Sequence, residues 1–173
     1  STPHRKFKDV AGKALEMAMI ELGLAYQASD IDILTSSISK MPPFAEVVST
    51  LAQLKNMGFK LCIISNTDDD IIAGNVDQLG GHIDRVISAQ QAQAYKPSRK
   101  IFEYAHKQLG ITKDDVLHIC ASPHLDLVAA REMGFRAVWV DRGTKRKPLT
   151  DYTPNETVAT LDKVIDKLQN INW

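Results

Sequence analysis

The residues best suited to chemistry follow short apolar segments of the chain. Ser65 and Asn66 close the first such segment, and Lys96 lies between Tyr95 and Pro97, beyond the second. A hydroxyl, an amide and the N–H groups of a turn can together bind an anionic oxygen, whereas a serine or asparagine at this place can also cap the next helix. Lys96 could face the same anion, although a solvent-exposed lysine is the simpler interpretation.

Beyond the third apolar segment, Asp126 stands just inside the start of a predicted helix. A carboxylate there can either interact with the helix dipole or hold Lys96 in place. His124 could act as a base, but an isolated loop histidine is more typical of polar surface. The histidines, cysteines and aspartates do not show the sequence spacing of a metal site, and no glycine-rich nucleotide loop is present. We therefore predict neither a metal nor a cofactor.

Short apolar runs alternate with helical patterns of about ten residues, which predicts an α/β fold with a mostly parallel sheet covered by helices. The predicted strands are 60–65, 85–88, 116–120 and 137–140. The predicted helices before, between and after them are 44–57, 69–79, 100–109, 125–133 and 157–168. Residues 60–65 are continuously apolar, which indicates a strand buried on both faces. Ligands of such sheets bind beyond the carboxyl ends of the strands, where the polar residues named above would meet.

The first forty residues have a different pattern. An apolar stripe from Val10 to Leu22 has helical spacing, and a second short helix is predicted over 31–39. Pro42 and Pro43 then break the chain. We predict a separate helical piece over 1–41 and an α/β core over 42–173.

Composition excludes several classes of protein. Lys and Arg together number 21, as do Asp and Glu, so no basic excess attracts nucleic acid. The short basic run 145–147 is typical of a solvated loop. No apolar stretch reaches the roughly 18 residues of a membrane span, and the polar first ten residues do not resemble a signal peptide. Cys62 and Cys120 lie inside apolar runs, which favours buried free thiols in a reducing cytoplasm.

Taken together, the motifs resemble those of the haloacid dehalogenase (HAD) superfamily. The strand ending in Ser65-Asn66, the segment 95–97 and the segment 121–126 are similar to its motifs two, three and four, in that order. The strings at 43–47 (PFAEV), 61–66 (LCIISN) and 94–97 (AYKP) resemble the L-2-haloacid dehalogenase (type II) branch. The likeness runs from about Phe7 to about Arg142.

This resemblance implies a HAD-like Rossmannoid core, with the remnant of a helical cap over 1–41. It also implies hydrolytic dehalogenation, in which an aspartate attacks C2 of a small 2-haloalkanoic acid, halide leaves, and water hydrolyses the aspartyl ester. By resemblance, Ser65 and Asn66 bind the substrate carboxylate. Lys96 holds the nucleophile and its charge, and Asp126 orients Lys96. Phe7 stands where the family has a cap residue that lines the substrate pocket.

The sequence departs from the family in its first motif. The family opens with an apolar strand that ends in Asp and continues into a Gly-Thr-Leu turn, and no part of this sequence has that pattern. In the family this strand is central to the sheet, so its absence would leave neighbouring strands unpaired. We therefore expect a fragment that is inactive alone and whose parent carries the aspartate.

The fourth motif departs as well. Ala121 stands where magnesium-dependent phosphatases of the superfamily have an acid, and an alanine side chain offers Mg²⁺ no oxygen. This predicts a metal-independent enzyme. Pro123 replaces the asparagine of many dehalogenases, which bears on how water is positioned.

Two alternative functions stay open. A phosphomonoesterase of the same superfamily is opposed by Ala121. A non-catalytic binding protein of the same fold is favoured by the absent aspartate, although truncation explains that absence more simply. The expected partner is a small 2-haloacid. We expect no nucleic-acid or membrane partner, and the sequence leaves a homodimer open. The expected location is the cytoplasm.

Overall fold

The computed structural model describes residues 3–171 and has the alternating helices and strands expected of an α/β protein. Its strands are β1 (Cys62–Ser65), β2 (Arg85–Ser88), β3 (Leu117–Cys120), β4 (Arg136–Val140) and β5 (Glu156–Val158). Its α-helices are α1 (Phe7–Glu21), α2 (Asp30–Ser39), α3 (Val47–Asn56), α4 (Asp69–Val76), α5 (Ala89–Ala92), α6 (Arg99–Leu109), α7 (Val128–Met133) and α8 (Lys163–Lys167). In the part of the chain described, no helix is long and apolar enough to cross a membrane.

All strand pairs are parallel, as the alternation of elements predicted. β1 pairs with β2, and β3, β4 and β5 form a second sheet in that order. Side chains of β4 alternate between two apolar clusters: Ala137 and Trp139 belong to one, Val138 and Val140 to the other. The first cluster also contains Ile87 of β2. Helices therefore cover both faces, because each face of the sheet carries its own core.

Within residues 3–171, no backbone ladder joins the two sheets. β1 has a partner only in β2, and β3 has a partner only in β4, so each keeps one unpaired edge. The four residues of β1 are half-buried rather than buried. The prediction of a strand buried on both faces was therefore wrong, since the edge that a further strand would cover is open. Unpaired neighbours are what the absence of a central strand predicted.

The two N-terminal helices pack against the core through the end of α2. Asn75 and Gln78 donate side-chain hydrogen bonds to backbone oxygens near that end: Asn75 Nδ2 lies 2.8 Å from the Ile38 oxygen. Gly74 permits the close approach, because a Cβ there would lie 2.1 Å from Ser39 Oγ and 2.9 Å from the Ser39 oxygen. The helices thus meet α4 across a surface that tolerates no side chain at residue 74.

The prediction of a helix over 157–168 was wrong. Residues Glu156–Val158 form β5, and the helix α8 begins only at Lys163. Val158 is 6% exposed and pairs with Val140 of β4, so burial on the sheet outweighs local helical spacing. The helix predicted over 125–133 is also divided: Pro123–Leu127 form a π-helical turn, and α7 follows.

Candidate active site

Ser65, Asn66 and Asp126 lie at or beyond the carboxyl ends of strands from both sheets. Ser65 is the last residue of β1, and Asn66 follows it. Asp126 lies on the π-helical turn that follows β3. Lys96 lies in the loop between α5 and α6, and α6 begins at Arg99. The parallel topology places these loops on one side of the sheet.

Lys96 and Asp126 form a buried ion pair. Lys96 Nζ lies 2.9 Å from Asp126 Oδ1, and the two side chains are 13% and 4% exposed. The sequence left open whether Asp126 interacts with a helix dipole or holds Lys96, and the geometry has the carboxylate in contact with the ammonium. Its catalytic role stays a prediction.

His118 joins this pair and was not predicted from the sequence. Its Nε2 lies 2.9 Å from the same oxygen, Asp126 Oδ1. Because a carboxylate only accepts hydrogen bonds, Nε2 must carry a proton and donate it. The ring packs edge-on against Phe102 and Phe135, which hold the imidazole in place. A histidine inside an otherwise apolar strand was the available signal, since a buried imidazole needs a hydrogen-bond partner.

Opposing effects set the charge of Asp126. Burial opposes ionisation, but the hydrogen bond from His118 and the charge of Lys96 outweigh it and hold the pKa of Asp126 below its usual value. The carboxylate is therefore charged at neutral pH. A charged, buried carboxylate with two donors fixes the position of the Lys96 ammonium, which is then available to a second anion in the site.

Asn66 links the two loops that carry the site. Its Oδ1 accepts from the Lys96 backbone N–H at 2.7 Å, and its Nδ2 donates to the Lys96 backbone oxygen at 3.1 Å. Ser65 Oγ lies 2.9 Å from Thr67 Oγ1. Asn66 therefore orders the loop of Lys96, and among residues 3–171 its second amide hydrogen makes no further hydrogen bond.

Phe7 is the first residue of α1 and is half-buried. Asp68 accepts a hydrogen bond from its backbone N–H at 2.9 Å, so Phe7 is tied to the loop that carries Asn66. His124, in contrast, is exposed and belongs to the surface. Arg146 of the basic run donates to the Ala121 oxygen at 2.7 Å, which attaches the run to the rim of the site.

The family of the chain follows from its match to known sequences. The model of the haloacid dehalogenase-like hydrolase family matches residues 4–140, a stretch that includes all the site residues named above. The chain belongs to that family. The predicted superfamily and the predicted α/β fold are confirmed.

Several relatives and solved structures that are similar to this haloacid dehalogenase-like hydrolase carry dehalogenase names, and others carry phosphatase names. This chain is 30% identical to the (S)-2-haloacid dehalogenase of Pseudomonas sp. (strain YL) over 162 residues. That alignment covers 92% of this chain and 69% of the relative. This chain is 27% identical to haloacetate dehalogenase H-2 of Moraxella sp. (strain B), covering 92% and 72%. The L-2-haloacid dehalogenase of Xanthobacter autotrophicus, solved with chloropropionic acid covalently bound, superimposes with a TM-score of 0.88. That superposition covers 98% of this chain and 78% of that one at 20% identity, and it shows the shared fold.

One group of side chains in this hydrolase could in principle hold a metal. Donor atoms of His118, Cys120 and Asp126 lie within 4.8 Å of one another, a proximity that the sequence spacing did not predict. Burial, reinforced by the charge of Asp126, raises the pKa of Cys120 to about 12, so its sulfur is a thiol and a poor ligand. Asp126 Oδ1 already accepts from Lys96, whose positive charge repels a cation. With Ala121 offering no carboxylate, the donor set does not suit Mg²⁺.

Proposed function

We propose that this protein is a hydrolytic dehalogenase that removes halide from small 2-haloalkanoic acids through an aspartyl-ester intermediate, without a metal. The observation that carries the proposal is the Lys96 ammonium, which is held at 2.9 Å by a buried, charged Asp126 at the edge of the sheet where ligands bind. The dehalogenase names of the relatives support the same chemistry.

Each site residue has a role in the proposed reaction. An aspartate oxygen attacks C2 of the haloacid, the carbon–halogen bond breaks, and the halide leaves with the bonding electron pair. Lys96 keeps the attacking carboxylate charged and aimed, and Asp126 holds Lys96. Ser65 and Asn66 are the proposed donors to the substrate carboxylate. Water then attacks the carbonyl carbon of the aspartyl ester, which releases the 2-hydroxy acid and a proton and restores the aspartate.

The attacking aspartate is not one of the residues that the chain places at this site. No aspartate of the sequence ends an apolar strand before a Gly-Thr-Leu turn. Within the described residues β1 and β3 each keep an unpaired edge, and one parallel strand inserted there could pair with both. We propose that this strand supplies the aspartate. A polypeptide that contains this chain together with that strand is called the extended protein below.

Metal dependence separates this function from its alternatives. The extended protein is dialysed against EDTA, and chloride release from 2-chloropropionate is measured with and without added Mg²⁺. We expect the rate to be the same in both, because a carboxylate that attacks carbon and expels halide has no phosphate charge to neutralise. Activity that is lost and then restored by Mg²⁺, or strong Mg²⁺-dependent hydrolysis of p-nitrophenyl phosphate, would assign the protein to the phosphatases. The absence of both activities would favour a binding protein.

A further inference from the structure

A buried carboxylate of the core holds the first turn of α1. Asp68 is 2% exposed, and its two oxygens accept separate hydrogen bonds: Oδ1 from the N–H of Phe7 and Oδ2 from the N–H of Lys8, each at 2.9 Å. Phe7 and Lys8 are the first two residues of the helix, so their N–H groups have no acceptor within α1. The residue before them, Lys6, makes no capping hydrogen bond with its side chain. Asp68 therefore acts as the cap of a helix that lies about sixty residues away in sequence.

Asp68 does not cap the helix that follows it in sequence. Asp68 occupies the N-cap position of α4, yet its side chain makes no capping bond to that helix. The carboxylate is directed to α1 instead, where its negative charge also meets the positive end of the dipole of a fifteen-residue helix. The interaction is thus specific to the pairing of α1 with the loop that follows β1.

A second core residue holds the segment that leads into α1. Tyr95, adjacent to Lys96, donates from its hydroxyl to the backbone oxygen of Arg5 at 2.8 Å. The ring of His4 stacks on the ring of Tyr95 with centroids 5.0 Å apart. Burial, followed by the nearby charge of Asp68, raises the pKa of Tyr95, which keeps its hydroxyl protonated as a donor. Residues 4–8 are therefore fixed by side chains from both site loops.

The two loops that fix this segment are themselves joined. The side-chain amide of Asn66 exchanges two hydrogen bonds with the backbone of Lys96, at 2.7 and 3.1 Å. Asp68 is two residues from Asn66, and Tyr95 is next to Lys96. The position of Phe7 is consequently set relative to the catalytic loops rather than by packing of α1 alone.

We propose that Asp68 is a positioning residue that places Phe7 at the substrate site and thereby determines which substituents on C2 of a haloacid the enzyme accepts. This inference rests on the proposed function. Asp68 does not contact the substrate in this account: it acts through the backbone of Phe7, whose side chain, by the family resemblance, forms a wall of the pocket. Loss of the carboxylate lets that wall move away, so kcat/KM for haloacids with larger C2 substituents rises relative to kcat/KM for those with smaller ones.

The contact itself is tested in the 173-residue chain, with no need for turnover. Amide hydrogen exchange of Phe7 and Lys8 is followed by NMR in the unmutated chain, in Asp68→Asn and in Asp68→Ala. Losing a helix cap costs about 1 kcal/mol, so we expect both amides to exchange about fivefold faster in Asp68→Ala. Asp68→Asn keeps one acceptor oxygen, so the exchange of one of the two amides should accelerate more than that of the other. Asp70→Ala, at an exposed acid in the first turn of α4, is the matched control and should change neither amide.

The consequence for specificity is tested with the extended protein. The ratio of kcat/KM for 2-chlorobutyrate to that for chloroacetate is measured in the unmutated protein, Asp68→Ala, Phe7→Ala and the double variant. A pocket wall commonly discriminates one methylene by tenfold or more, so we expect the ratio to rise by about threefold or more in both single variants. The double variant should show no larger ratio than Phe7→Ala, because both changes remove the same wall. Asp70→Ala should leave the ratio unchanged.

The two arms separate failure of this inference from failure of the proposed function. If Asp68→Ala slows all haloacids by one common factor, or if its effect adds to that of Phe7→Ala, Asp68 supports the fold only and the inference is wrong. Unchanged exchange of both amides in Asp68→Ala would also overturn it. If the unmutated extended protein releases no halide from any haloacid, the proposed function fails and the specificity claim fails with it, whereas the exchange result still decides whether Asp68 holds Phe7.

Discussion

Replacing Lys96 with alanine removes the charge around which the proposed site is arranged. The Lys96 side chain is 13% exposed and that of Asp126 is 4% exposed, so water cannot readily replace the lost partner. Breaking a buried pair in this way typically costs about 3–5 kcal/mol. His118 still donates to Asp126 Oδ1, so we expect the low end, about 3 kcal/mol, with the chain still folded.

The same substitution should slow catalysis strongly. Preorganised charge at the reacting group is typically worth about 3 kcal/mol of transition-state stabilisation, which corresponds to roughly a hundredfold in kcat. Stability is measured by guanidinium chloride unfolding of the 173-residue chain, and turnover by chloride release from the extended protein. Lys107→Ala, an exposed lysine on α6, is the matched control and should change neither quantity. Turnover of Lys96→Ala near the unmutated rate would refute the reasoning and leave Lys96 as a structural partner of Asp126.

The remaining predictions concern the partners of that pair and the packing of the N-terminal helices. His118→Leu removes the donor to Asp126 and should lower the free energy of unfolding in denaturant by about 2 kcal/mol. His118→Gln keeps a donor there and should lower it by less. Equal losses in the two variants would contradict a hydrogen-bond role. Because the folded-state pKa of Asp126 is lowered, the stability that its charge contributes is present above about pH 4 and is lost as the pH falls through the lower folded value. His118→Leu removes a hydrogen bond that lowers this pKa, so the acid limb of the stability curve should shift to higher pH. Gly74→Ala should destabilise the chain by about 1–3 kcal/mol because its Cβ meets Ser39, whereas Gly12→Ala, with ordinary contacts at 3.5 Å, should be neutral or stabilising in the same thermal unfolding assay.

Much of the fold could be predicted because its signals are local. Apolar runs and helical spacing located the strands and most helices to within a few residues. The helix predicted over 157–168 failed because β5 is defined by its pairing with β4, and a three-residue strand leaves almost no periodic pattern of its own. The expected burial of β1 on both faces failed for a related reason, since burial depends on which strand lies beside it.

The candidate site could be predicted only in part. Lys96 and Asp126 were found through the order of the motifs, and the structure has them in contact. His118 and Asp68 were missed, because their roles depend on contacts outside their own elements: His118 meets Asp126 on the turn after β3, and Asp68 meets Phe7 about sixty residues away in sequence. Sequence alone offers a plausible local role for each, as a core histidine or as a helix cap, and does not identify the partner.

Chloride release from 2-chloropropionate, measured side by side for the 173-residue chain and for the extended protein, tests the central claim most directly. The account predicts steady release by the extended protein and none by the chain alone. In the proposed mechanism Ser65 and Asn66 bind the substrate and Asp126 holds Lys96, but none of these residues forms the covalent ester. Steady chloride release by the chain alone would contradict the claim that the nucleophile lies outside these residues, and no release by the extended protein would contradict the assignment as a dehalogenase.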